Sequence, residues 1–328
     1  MFRKLLALVT IFALFGFSDF ALAQNMMCGK DLRDALDAQT LQQLEEAANK
    51  IKNGDSRFWK IEKDGVEPSY LLGTMHASDA KIVKMTSAEQ IAFDKSSRVA
   101  LELIDIGDEA GGELFNTIRA NTNLLMYHND DSVKKQMTEA QFQKFDALLK
   151  QRGIAFANVE HLKPWYFVMI FSMSDCPQTE AKVFDSQIEL NALANGKELI
   201  GLETIEEQLK ILARIPDPLY LASILQSINN PERMKDLSST TAELYVEGKI
   251  SMIMPLTEHF ADDGSTITRL EEFNAELIDK RNVVMAERSK PLLEKGNSFI
   301  AVGALHLVGD TGLVEAFRKM GYRVTALK

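Results

Sequence analysis

Two segments near opposite ends of the chain finish alike. Residues 69–76 read Ser-Tyr-Leu-Leu-Gly-Thr-Met-His, and residues 299–306 read Phe-Ile-Ala-Val-Gly-Ala-Leu-His. Each is a short apolar run closed by Gly-x-x-His, which reads as a buried strand. Gly73 and Gly303 allow a sharp turn or a close backbone approach. His76 and His306 are then left at strand ends, where open α/β sheets bind their ligands. Two such motifs about 230 residues apart point to a site assembled from both halves of the fold.

The sequence around the first motif supports this. Apolar Leu32, Leu36, Leu41, Leu44 and Ala47 give residues 31–52 a helical spacing. Phe58–Ile61 and Tyr70–Leu72 read as a hairpin turned at Lys63-Asp64-Gly65. Ser87–Lys95 is a short helix with a serine cap, and Arg98–Leu103 is the next strand. Strand, Gly-x-x-His, helix and strand make one βαβ unit. From residue 111 to about 295 helical spacing dominates, over 137–151, 161–173, 183–195, 204–213, 219–228, 237–247 and 270–293. A short strand at Glu198–Leu202 interrupts it. The last residues return to strand (298–302), helix (312–320) and strand (322–326). The reading is an α/β fold: a central sheet built from N- and C-terminal βαβ segments, a large helical insertion between them, and residues 24–328 as one domain.

The first residues form a separate signal. Arg3 and Lys4 precede an apolar run from Leu5 to Phe17, and Ala21-Leu22-Ala23 forms a cleavage site before Gln24. This is the pattern of a secretory signal peptide over residues 1–23. Its apolar run is short for a membrane span, and no second run approaches about 20 apolar residues. Cleavage leaves a chain without stable membrane insertion, placed in a periplasm or secreted. The net charge of −10 and the lack of a basic run argue against nucleic acid as a partner. Only Cys28 and Cys176 remain, and in an oxidising compartment one disulfide between them is the simplest reading.

Three residues could carry chemistry together. Neutral imidazole is the commonest metal ligand among side chains and also suits general base work, so His76 and His306 fit either role. Glu102 lies within Val-Ala-Leu-Glu-Leu-Ile, where a carboxylate must be paired, protonated or coordinated to be buried. Two histidines and a carboxylate are the ligand set of hydrolytic zinc and non-haem iron sites. Arg281-Asn282, on the helix before the second motif, could polarise a carbonyl or steady an oxyanion, or could lie on a solvated face. His128, His161 and His259 read as structural. Glu203, Glu206 and Glu207 read as helix N-terminal acids, with Thr204 and Glu207 matching a capping box. Serine-hydrolase, P-loop and Rossmann motifs are absent from the sequence.

Taken in order, Leu72-Gly73-Thr74-Met75-His76, Val99-Ala100-Leu101-Glu102, Gly201-Leu202-Glu203-Thr204, Arg281-Asn282, Val302-Gly303-Ala304-Leu305-His306 and Gly321-Tyr322-x-Val324 resemble the TraB/GumN family. That family includes the Tiki metalloproteases. The resemblance runs from about Phe58 to the C-terminus and implies a fold akin to erythromycin esterase-like and ChaN-like proteins. It implies an active site in which both Gly-x-x-His motifs face a glutamate. It also implies metal-dependent peptide hydrolysis, with manganese or cobalt favoured and zinc allowed. Carried onto this sequence, His76, Glu102 and His306 become the metal-site or catalytic residues, with Arg281 and Asn282 as supporting groups and Gly73 and Gly303 holding the turns. The expected protein is a periplasmic metal-dependent hydrolase acting on a peptide or small molecule. The alternatives are an esterase-like hydrolase with a histidine base and no metal, or a non-enzymatic haem- or metal-binding protein.

Overall fold

The computed structural model describes residues 25–104, 112–172, 176–177, 181–260 and 273–327. The expected signal sequence over 1–23 lies outside the described residues. Six strands form one mixed sheet: β1 (Phe58–Lys63), β2 (Val66–Thr74), β3 (Arg98–Leu101), β4 (Glu198–Gly201), β5 (Ser298–Gly303) and β6 (Arg323–Leu327). Their order across the sheet is β4-β3-β5-β2-β1-β6. β4, β3, β5 and β2 run parallel, while β1 is antiparallel to both of its neighbours. β1 and β2 form the expected hairpin, with Gly65 in its turn at φ 79°.

The strand nearest the C-terminus but one, β5, occupies the centre. It pairs with β2 from Tyr70↔Phe299 to Thr74↔Gly303, and with β3 from Arg98↔Ser298 to Leu101↔Ala301. Neither expected βαβ unit therefore pairs its own two strands: β5 separates β2 from β3, and β6 pairs with β1. All six residues of β5 are buried. A strand that is apolar on both faces belongs in the middle of a covered parallel sheet, and this burial decides its neighbours.

The helices are α1 (Ala38–Ala48), α2 (Ser87–Lys95), α3 (Gly112–Ala120), α4 (Glu139–Gln151), α5 (Pro164–Ser172), α6 (Phe184–Ala194), α7 (Ile205–Arg214), α8 (Asp217–Asn229), α9 (Pro231–Val246), α10 (Ile250–Phe260), α11 (Lys280–Lys295) and α12 (Leu313–Lys319), with shorter turns between them. α2 and α6 cover one sheet face, setting Phe93, Phe184 and Ile188 against Leu72, Val99, Phe299 and Ala301. α11 and α12 cover the other, setting Met285, Leu293 and Phe317 against Leu71, Ala100, Ile300 and Val302. Along β5 the two sets alternate residue by residue, as a strand buried on both faces requires.

A third core joins α1, α4, α5 and α7–α10 around Phe145, Trp165, Tyr220, Tyr245 and Leu256. It also contains Met75, Ala77, Ala304 and Leu305, the residues that follow β2 and β5. The helical insertion thus packs onto the carboxyl ends of the parallel strands. Those ends are enclosed between sheet and helices.

Local capping adjusts several expected boundaries. The Asp37 side chain accepts from the Thr40 N–H, so α1 starts afresh after a 3-10 turn at Leu32–Ala35. Thr86, not Ser87, caps α2: its hydroxyl accepts from the Glu89 N–H, and the Glu89 carboxylate accepts from the Thr86 N–H. β3 ends at Leu101, one residue before Glu102. α10 lies where the sequence reading placed no helix. A π-helical turn at Ala275–Asp279 leads into α11, and the expected helix start at Leu270 falls outside the described residues. Cys28 and Cys176 are joined by a disulfide, as expected. Among the described residues no helix is long and apolar enough to cross a membrane.

Candidate active site

Each of the four parallel strands delivers one ionisable side chain just past its carboxyl end. His76 lies two residues beyond β2, Glu102 one beyond β3, Glu203 two beyond β4 and His306 three beyond β5. All four are buried. The sequence reading expected His76, Glu102 and His306 here. It missed Glu203, which it took for a helix N-terminal acid. Thr204 and Glu207 do form the capping box of α7, and Glu203 turns inward just before it.

Main-chain pairing fixes the edge. The Leu202 and Glu203 N–H groups donate to the carbonyls of Leu101 and Glu102, each at 2.8 Å, extending the β3–β4 ladder past both strands. A Cβ on Gly73 would stand 2.9 Å from Ala304 Cα and 3.1 Å from Leu307 Cδ2, so glycine is what lets the two motifs touch. Gly303 has an ordinary φ of −51° and acts through its N–H, which donates to Glu102 Oε1 at 2.6 Å.

Arg281, from the first turn of α11, joins the two glutamates. Its Nη2 donates to Glu102 Oε2 at 2.7 Å and to Glu203 Oε2 at 2.5 Å, and its Nε donates to Glu203 Oε1 at 2.9 Å. The π-helical turn leaves the Leu277 carbonyl to accept from Nη1 at 3.3 Å. Gln208 Nε2 also donates to Glu203 Oε2, at 3.1 Å. Burial works against the Arg281 charge, but the two carboxylates outweigh it and raise its pKa. A charge this deep persists only because it is paired on both sides.

The two histidines are held differently. His76 Nδ1 lies 2.9 Å from Asp185 Oδ2, and Asp185 Oδ1 accepts from the Thr74 hydroxyl at 2.7 Å. Burial alone would lower the His76 pKa, but the charge and hydrogen bond of Asp185, with Glu102 beyond, raise it above the ordinary value. Burial likewise opposes ionisation of Asp185, and His76 overrides it, so the Asp185 pKa falls. His306 Nδ1 lies 2.7 Å from Asn282 Oδ1, while Asn282 Nδ2 donates to the Thr311 carbonyl at 3.0 Å. Burial and then the Arg281 charge push the His306 pKa well down, keeping this imidazole neutral. Asp185 was not singled out from the sequence, where an acid in the first turn of a helix needs no further explanation.

The remaining histidines lie elsewhere. His128 and His161 are exposed, and His259 packs edge-on against Phe260 on α10.

These donors suit a divalent cation by type and by charge. With Nδ1 against Asp185 Oδ2 at 2.9 Å, the Nε2 of His76 is left as a second, buried donor atom. His306 donates through Nδ1 to Asn282, so its Nε2 lone pair faces Glu102 Oε1 at 3.5 Å. Asp185, Glu102 and Glu203 set three carboxylates against the guanidinium of Arg281 and the imidazole of His76, which leaves negative charge in surplus. Among the described residues, as they stand, no group of three or more His, Cys, Asp or Glu side chains is arranged to hold an ion.

This fold and site define a layered α/β protein with a histidine–carboxylate cluster at the carboxyl edge of its parallel strands. The chain belongs to the TraB/PrgY/gumN family, whose model matches residues 57–326. Among its curated relatives are a "Metalloprotease TIKI homolog" of Nematostella vectensis, 24% identical over 84% of this chain and 68% of its own length. "Metalloprotease TIKI2" of Danio rerio is 24% identical over 83% of this chain and 61% of its own length. "Metalloprotease TIKI1" of Danio rerio is 23% identical over 82% of this chain and 63% of its own length. The chain thus spans little more than three-fifths of the two fish proteins. No solved structure matches it.

Proposed function

We propose that this chain is a periplasmic metal-dependent hydrolase, acting on peptide or related acyl bonds, with His76, Glu102 and His306 as the metal-holding residues. The observation that carries this is the convergence of four strand-end side chains on one buried edge, with each imidazole held at Nδ1. The relatives named metalloproteases support the same class. Manganese or cobalt is favoured over zinc on the Tiki resemblance. The sequence of residues 1–23 and the Cys28–Cys176 disulfide support export to an oxidising compartment.

A divalent cation there would supply Lewis acidity, polarising the scissile carbonyl and making water nucleophilic near neutral pH. The chain's own groups do the holding. Asp185 orients His76, Asn282 fixes the tautomer of His306, and Arg281 holds Glu102 and Glu203 in place. In this arrangement Arg281 and Asn282 act as positioning groups, because their hydrogen bonds run to the carboxylates, to His306 and to main-chain carbonyls. The helical layer keeps bulk water from the cluster and strengthens each of these interactions.

One observation favours a second reading. His76 is biased toward its charged form and His306 toward its neutral form, and such a split is what a general acid and a general base require. That version hydrolyses without metal.

Calorimetric titration of the metal-stripped chain with Mn²⁺, Co²⁺ and Zn²⁺, repeated with His76→Ala and His306→Ala, tests the proposal. Binding lost in both variants, together with chelator-sensitive cleavage of a peptide library, is the expected result. Chelator-resistant cleavage selects the acid–base version. A folded wild-type chain that binds none of the three ions and cleaves no peptide overturns both.

A further inference from the structure

The segment that follows the signal sequence is threaded through the molecule and touches the site from behind. The Met26 and Met27 N–H groups donate to the two carboxylate oxygens of Asp79, at 2.7 and 3.2 Å. Asp79 stands three residues after His76 on the same loop. On its other side the segment lies along α9. Ser239 Oγ accepts from the Gly29 N–H at 2.6 Å and donates to the Met26 carbonyl at 2.7 Å. Asp236 accepts from the Lys30 N–H at 2.8 Å, and Thr240 Oγ1 accepts from the Leu32 N–H at 2.8 Å. Met26 is fully buried in the helical core.

Cys28, in the middle of this strap, is bonded to Cys176, and the Asn25 side chain donates to the carbonyl of Pro177. Cys176 stands eight residues before α6 in the sequence, α6 carries Asp185, and the Phe184 N–H at the start of that helix donates to the Ala77 carbonyl at 3.1 Å. α9 closes the circuit: the Tyr245 hydroxyl donates to the Gly73 carbonyl at 2.9 Å. The disulfide therefore ties the strap to Cys176, nine residues before Asp185 in the sequence, while the strap itself grips the loop that brings His76.

We infer that the strap and its disulfide form a redox-controlled clamp on the His76–Asp185 pair, so that the site is completed only when Cys28 and Cys176 are oxidised. In the oxidising step the two thiols lose two protons and two electrons to a protein disulfide of the oxidoreductase class, which leaves as a dithiol. In a reducing compartment the strap is tied only by its hydrogen bonds and the packing of Met26, and the loop after His76 opens locally more often. The site would then be assembled after export and not before. The importance of this clamp for activity rests on the hydrolase reading, but its physical coupling does not.

Amide hydrogen exchange on the purified exported chain, oxidised and then reduced with dithiothreitol, tests the clamp. Dithiothreitol converts the protein S–S bond into two thiols and itself becomes the cyclic disulfide. Exchange at 26–32, 75–83 and 181–190 is expected to rise by about tenfold or more, with β1 and β6 unchanged. Asp79→Ala, which keeps the disulfide but removes the strap's grip, should loosen 75–83 in the same way without reduction. In parallel, the imidazole ¹⁵N signal of His76, assigned with His76→Gln, should shift on reduction while those of His128 and His161 stay. Unchanged protection at 75–83 in both experiments, or a uniform loss of protection across the sheet on reduction, overturns the clamp. A chain that shows the coupling yet neither binds metal nor cleaves peptide leaves the clamp standing and removes the hydrolase reading.

Discussion

The Gly303 N–H donates to Glu102 Oε1 at 2.6 Å, while Oε2 of the same carboxylate accepts from Arg281 at 2.7 Å. One side chain thereby ties the central strand's exit to the helix that precedes it. The second Gly-x-x-His turn is built on this carboxylate.

Glu102→Gln should therefore be costly despite its matching shape. The amide would turn its NH₂ group toward Arg281 or toward Gly303, and both are donors. Removing one partner of a buried ion pair costs about 3–5 kcal/mol, because the other charge stays buried. Urea unfolding should show a loss of that order, and a loss below about 1 kcal/mol would show that Glu203 alone holds the guanidinium.

Gly73→Ala tests the contact between the two motifs. The added Cβ meets main chain, Ala304 Cα at 2.9 Å, rather than the end of a flexible side chain. Such overpacking costs about 1–3 kcal/mol and should push the two histidine-bearing turns apart. Thermal unfolding should register the cost. Metal titration should register the separation, as weaker binding by a chain that is still folded at 25 °C. Full affinity in the alanine variant would show that the turns tolerate the shift.

The sequence made some of this architecture legible and left the rest hidden, for physical reasons. Strand runs and the histidines that end them are local features, so β2, β5, His76 and His306 can be read directly. Glu102 was legible because an apolar run makes its charge conspicuous. Glu203 was not, since Thr204, Glu206 and Glu207 beside it give an acid there a sufficient local reason. Its partner Arg281 is 78 residues away, beyond any periodicity. A signal did exist: Glu203 stands two residues past a strand end, in the same relation that His76 bears to β2. The position of β5 between β2 and β3 is likewise set by long-range burial, and short-range spacing cannot report it.

The His76–Asp185 pair gives a defined pH dependence in the metal-free chain. Asp185 has its pKa lowered from 3.8 by folding, so its contribution is present above that value and is lost as pH falls through the folded pKa. His76 has its pKa raised from 6.5, so its contribution is full below that value and is lost as pH rises through the folded pKa. The pair thus stabilises most between about pH 4 and pH 6.5. Asp185→Asn should lower stability chiefly within that window. The gap between the denaturation curves of the two proteins should narrow as pH falls through the folded Asp185 pKa and as it rises through the folded His76 pKa. A constant gap would mean that Asp185 acts by packing alone.

Asn282 offers the sharpest separation between positioning and simple structure. Its Nδ2 donates to the Thr311 carbonyl, so Oδ1 is turned to His306 and must accept from Nδ1–H. That assigns the proton to Nδ1 and leaves Nε2 as the lone-pair nitrogen facing Glu102. Asn282→Leu keeps the volume roughly constant but removes the acceptor, so the tautomer is no longer fixed. Loss of such an outer partner typically weakens metal affinity or activity by about 10–100-fold. Asn282→Asp retains an acceptor for Nδ1–H and should keep the tautomer, although it gives up the bond to Thr311. Imidazole ¹⁵N shifts of His306 read the tautomer, and Mn²⁺ calorimetry reads the affinity. Positioning predicts that leucine changes both while aspartate changes the tautomer not at all. Were Asn282 only a packing residue, the two variants would lose stability to similar degrees and neither would alter the His306 signals.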